Sequence, residues 1–231
     1  MNDKLDQAFE AFKTYDWGTD IKAIAPIDEA IIETYGDAAA RKELEMRLAE
    51  VLTTDVSRDA KDMVCRKLRT IGTAASVPTL AGLLLDEELS HMARYALERI
   101  PAPEAAKALQ DALPKAKGVI KIGIISSLGQ RGTTEAIGAI GGLLGDGDAA
   151  IAAAAAKALG DIRTADAAKA LAKAKPTQAV TNASLACAEA LLADGKKADA
   201  LMIYKKIAMS SDQPKHVKLA ATKGMLECSK K

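Results

Sequence analysis

The sequence predicts an all-α chain, an α-solenoid of about seven stacked helix–turn–helix repeats, and three observations carry that prediction. Aromatic residues are only 3% of the 231, against 49% hydrophobic overall. Ala, Leu and Ile must therefore fill the interior, which suits close-packed helices better than a sandwich or barrel. Apolar residues recur at helical spacing along the chain. One frame of these residues also returns from end to end at intervals of 29 to 36 residues, the mark of a stacked-repeat architecture.

The frame is clearest around Leu159 in "IAAAAAKALGDI", with Ile151 eight residues before it and Ile162 three after. The same offsets hold Leu89, Leu97 and Ile100, then Ala60, Leu68 and Ile71, then Val217, Met225 and Cys228. Ile120 and Leu128 repeat it with Arg131 in the third place. Weaker copies sit at Ile24, Ile32 and Tyr35, and at Ala183, Leu191 and Asp194. The anchors fall at 32, 68, 97, 128, 159, 191 and 225. Twelve residues beyond the first six lie Leu44, Leu80, Leu109, Ile140, Leu171 and Ile203.

Within each unit the anchor helix is expected to bury offsets −8, −5, −4, −1, 0 and +3, an apolar stripe at helical period. A turn follows ("GTAAS", "PAPE", "RGTTE", "RTAD", "DGKKAD"), and a second helix carries the +12 residue. Pro78 falls in the first turn of such a helix, where its missing N–H costs nothing. The alanine run at 149–158 reads as contact surface, small side chains that let neighbouring helices approach closely.

The segments "VKLAATKGM", "IAAAAAKALGDI" and "LRTIGTAASVPTLAGLLLD" resemble HEAT repeats, in the short bacterial form also found in phycobilin lyases. The resemblance covers roughly residues 19–229 and is specific for fold rather than function. It departs from the family where a frequent Arg is replaced, surviving only as Lys61, Lys121 and Lys218. The expected organisation is one domain, 1–231, with an N-terminal capping helix in 1–18 and repeats over 19–229.

A formal charge of +1 argues against a dedicated nucleic-acid binder. No apolar run reaches membrane-spanning length. "MNDKLDQAFEAF" lacks a signal peptide's basic and apolar regions, so the chain reads as cytoplasmic by default, or as a trimmed mature form. Cys65, Cys187 and Cys228 show no CxxC pairing and read as free buried thiols. Two histidines and no HExxH leave no expected metal site, and no cofactor is expected.

Opposite the buried stripe lie offsets −6, −2 and +1. The HEAT resemblance implies that these residues line a concave face. In order they are Asp62, Arg66 and Arg69; His91, Tyr95 and Glu98; Ile122, Ser126 and Gly129. Next come Ala153, Lys157 and Gly160; Leu185, Glu189 and Leu192; and Leu219, Lys223 and Leu226. Asp62, Arg66, Arg69, His91, Tyr95, Ile122, Ser126, Lys157, Leu185 and Glu189 are the candidate contacts for a protein or peptide. The same charges also suit a plain solvated face, with Ile122 and Leu185 packed on neighbours.

His91 and Tyr95 at i,i+4 could in principle serve acid–base chemistry, but only Glu98 is near enough to orient the imidazole. No catalytic residue is assigned. A non-catalytic scaffold, monomeric by default, is the expected function. The alternatives are a HEAT-like DNA glycosylase, a bilin lyase or a chaperone. A glycosylase needs aromatic walls and a basic channel, and a bilin pocket more aromatics and arginines than Arg66, Arg69, Arg94 and Tyr95 provide.

Overall fold

The computed structural model describes residues 3–230. Among them are fourteen α-helices and three short 3-10 segments, with no strand. In order the helices are α1 (Asp3–Ala11), α2 (Ala25–Glu33), α3 (Ala38–Val51), α4 (Arg58–Ile71), α5 (Val77–Gly82), α6 (Ser90–Leu97) and α7 (Pro103–Ala112). They continue as α8 (Gly118–Gln130), α9 (Ile137–Gly142), α10 (Ala149–Ile162), α11 (Ala165–Ala172), α12 (Gln178–Ala193), α13 (Lys197–Ala208) and α14 (Lys215–Ser229). None of them is long and apolar enough to cross a membrane.

Local chemistry sets the helix starts. Side-chain oxygens of Asp37, Ser57, Asp148, Thr164 and Thr177 accept hydrogen bonds from otherwise unpaired first-turn N–H groups. Prolines take the first turns of α2, α5 and α7. His216, two residues after the N-cap Pro214 of α14, takes no part in a side-chain cap.

The chain divides into two compact units, Met1–Ser127 and Leu128–Lys231. In the first, α3, α5 and α7 pack in succession along one row, and α4 packs on α6 in another. In the second, α9 packs on α11, while α10, α12 and α14 succeed one another in the other row. Such double rows form when each helical hairpin buries its stripe on the next.

The frame accounts for this burial. Leu68, Leu97, Leu128, Leu159 and Leu191 are all buried, as are Leu44, Leu80, Leu109, Ile140 and Leu171. In α10 the buried residues include Ala155, Ala156 and Ala158, so its alanines are contact surface. One further offset, −3, is also buried, at Cys65, Ile125, Ala156 and Ala188. All three cysteines are free and buried.

The first copy breaks the frame. Ile32 is 74% and Tyr35 85% exposed, because α2 turns Ile27 and Ala30 inward. Two residues beyond Ala30, a helix advancing 100° per residue has carried Ile32 to the far side. Met225, the last anchor, is half-buried; beside it Gly224 is buried and lies against the Tyr204 ring. Trp17, the sole tryptophan, sits in the turn after α1 and is 90% exposed.

Two buried charges brace the first unit. Glu45 of α3 is 1% exposed and accepts from the Thr73 N–H (2.7 Å), the Thr73 hydroxyl (2.8 Å) and the Ser76 N–H (3.1 Å). It thereby ties the start of α5 to α3. Lys67, in the buried stripe of α4, pairs with Asp28 of α2 at 2.5 Å.

Candidate functional site

In the first unit α4 and α6 lie side by side and present Asp62, Arg66, Arg69 and Tyr95 together. The Arg69 guanidinium lies over the Tyr95 ring at 4.4 Å from its centroid, and that of Arg66 at 5.9 Å. Asp62, one turn before Arg66, accepts from its Nε at 3.0 Å. Tyr95 is half-buried, so its ring is held while a face stays available to the guanidinium groups. Cations over an aromatic face are attracted by the ring quadrupole, most strongly when partly desolvated. Arg69 has no carboxylate within ion-pair distance among the described residues, which leaves its fork of donors open to a partner.

Behind this platform the packing is polar. Arg94 is half-buried, and its guanidinium occupies the space that a side chain at Gly123 of α8 would need. Burial lowers the basicity of Arg94, and the nearby Glu98 carboxylate acts in the opposite direction. The Arg94 Nε is buried with no hydrogen-bond partner. The Ser127 hydroxyl, fully buried, lies 2.7 Å from Glu98 Oε1 and 3.0 Å from the Gly123 carbonyl. Glu98 is thus engaged with Ser127. His91 is exposed at the start of α6, and no hydrogen bond reaches its imidazole among the described residues. Ile122 and Ser126 are half-buried on α8.

The second unit treats its predicted residues differently. Lys157 is exposed and pairs with Asp161 at 2.5 Å. Glu189 is exposed, whereas Leu185 is half-buried and packs against the core around Leu191 and Tyr204 rather than standing free. Gly129 and Gly160, expected on the open face, are buried. A Cβ on Gly129 would come 2.8 Å from the Ala158 Cα, and one on Gly160 would come 2.8 Å from the Ala183 Cα. Both are crossing points where a neighbouring helix touches the glycine backbone. Among the described residues no group of three His, Cys, Asp or Glu side chains is placed to hold a metal ion.

Sequence reasoning did not include Arg94 among the candidate contacts and missed Glu45 and the Lys67–Asp28 pair. A signal existed for two of these. Glu45 shares a stripe with Leu48, Ala49 and Leu52, and Lys67 occupies an offset that the frame reserves for buried residues. A charge in an apolar stripe announces a buried partner.

Residues 115–192 match the profile of the family described as HEAT repeats. This segment is made of HEAT repeats. It holds the anchors Leu128, Leu159 and Leu191, in the frame shared with Leu68 and Leu97 of the first unit. No curated protein matches the chain at a significant level. Two solved structures are similar over nearly all of it. An engineered protein is 20% identical, with a TM-score of 0.45, 99% of this chain covered and 68% of the other. Human deoxyhypusine hydroxylase, solved in complex with glycerol, is 16% identical, with a TM-score of 0.35, 98% of this chain covered and 96% of the other.

Proposed function

We propose that the protein is a non-catalytic HEAT-repeat scaffold that binds a protein or peptide partner on its concave face. The platform of Asp62, Arg66, Arg69 and Tyr95, with His91 at its edge, is the centre of that contact. The observation that carries the reading is the Arg69–Tyr95 stack at 4.4 Å, with no carboxylate in ion-pair distance of Arg69 among the described residues. Tyr and Arg are the side chains most often found at the energetic centre of interfaces. Here they are already arranged before binding, which lowers the entropic cost of association. An open guanidinium fork favours an extended segment carrying carboxylates or free backbone carbonyls. Lys157 and Glu189 contribute polar contacts in the second unit, and Ile122 and Ser126 a shallow floor beside the platform.

The test is affinity capture with the intact chain from its source cells, repeated with Arg69→Glu and with Tyr95→Ala. A partner recovered by the wild type and lost with both variants, at unchanged helicity, supports the reading. Retention of the same partner by both variants overturns it.

A further inference from the structure

A cavity of about 470 Å3 lies between α11, α12 and α13 in the second unit, away from every residue of the platform. Its volume falls in the range of small-molecule sites, which are concave, mostly apolar and carry a few polar groups. Leu171, Val180, Leu191 and Ile207 form the buried base, and Ala165 and Ala168 leave the space open by being small. Water is poorly held by such walls, because it needs two to four polar partners.

The mouth is polar and cationic. Lys169, Lys206 and Asp199 reach it, and its turn supplies Ala174 and Pro176, each preceded by an exposed lysine, Lys173 and Lys175. Lys169 is committed to Asp166 at 2.9 Å. Lys206 donates to the Ala172 carbonyl at 3.3 Å and has no carboxylate within ion-pair distance among the described residues. Gln213 also lines the cavity, and its side-chain oxygen is buried without a hydrogen-bond partner. A buried amide oxygen without a partner at an apolar cavity is an open hydrogen bond in search of an occupant. A half-turn of that amide exchanges its acceptor for two donors.

We propose that this cavity binds a single-chain aliphatic carboxylate, with the tail on Leu171, Leu191 and Ile207 and the head at Lys206 and Gln213. The apolar base selects the chain, and Lys206, which has no carboxylate partner among the described residues, selects with the turned amide an anionic head over a neutral or cationic one.

Calorimetric titration of the intact chain with decanoate and decyltrimethylammonium below their micelle concentrations, and with decanol below its solubility limit, tests this. Decanoate should bind saturably, one per chain, and about tenfold more tightly than decanol, with the cation weakest. Lys206→Glu should reverse the order of decanoate and decyltrimethylammonium. Ala168→Phe fills the cavity, and Ala172→Trp blocks its exposed mouth. Both should abolish decanoate binding, and Ala172→Trp decides alone if Ala168→Phe prevents folding. Three results each overturn the proposal: no saturable decanoate binding, equal binding of decanoate and decanol, or undiminished binding by a folded Ala172→Trp protein.

Discussion

One register position, the residue just after the anchor, is handled in opposite ways by the two units. In the first it is Arg69, lying over Tyr95 of the next helix in its row, and Glu98, bonded to Ser127 of α8. In the first two copies of the second it is Gly129, against Ala158, and Gly160, against Ala183. A long side chain keeps the next helix at a distance and leaves polar groups near the surface. A glycine lets the next backbone touch and leaves nothing to offer. The frame of the repeat is the same in both, so what occupies this position decides whether a joint keeps polar side chains near the surface or closes on bare backbone.

That contrast can be broken most severely at the anchors, where the units should behave alike. Leu68→Ala and Leu159→Ala each remove a fully buried side chain and should destabilise by about 2–5 kcal/mol in urea unfolding. A large difference between them would show that the frame is not energetically equivalent in the two units. Next come the crossings. Gly160→Ala should cost about 1–3 kcal/mol, even though alanine favours a helix by about 1 kcal/mol over glycine. Its Cβ would press on helix backbone, which cannot swing away. A stabilised Gly160→Ala protein would mean that the close approach is absent in solution. Arg69→Ala, which removes a half-buried cation from over a ring, should cost about 0.5–2 kcal/mol, while removing partner binding. Smallest is Arg66→Ala, whose half-exposed pair with Asp62 is worth about 0.2–1 kcal/mol or less.

The thiols add a pH test. Burial, reinforced by Asp62, pushes Cys65 from its ordinary 9.0 to about 12, and burial pushes Cys187 to about 11. In the unfolded chain both ionise near 9, so the unfolded state sheds protons first as pH rises. The stability they support is intact below pH 9 and is lost progressively between 9 and 12. Melting temperatures of wild type and of Cys65→Ala should converge over that window. Below it, the native thiols should resist alkylation until urea opens the chain.

How far the sequence could be read depended on whether the signal was local. Periodic apolar residues and the short turns between them are local, and they place α4 to α12 and the anchor leucines correctly. At Ile32 the signal failed, because an apolar residue at the right offset says nothing about which side its helix turns inward. Gly129 and Gly160 were placed on the outward side by the same angular rule, and what buries them is a neighbouring backbone invisible to one helix's periodicity. Of the site, Asp62 and Arg66 were readable as an i,i+4 pair. The meeting of Arg69 with Tyr95 depends on how α4 and α6 are set against each other. Leu185 shows the limit from the other side, since one offset can face solvent in one repeat and a neighbour in another.

The exposed indole of Trp17 makes the protein nearly blind to its own unfolding in tryptophan fluorescence. A side chain already 90% in water changes its surroundings little when the chain opens, so its emission should shift only slightly across a melt that circular dichroism sees in full. The same blindness is useful in the other direction. With a single indole in the sequence and that indole in solvent, a blue shift in the native protein has one source, an object settling onto the turn after α1.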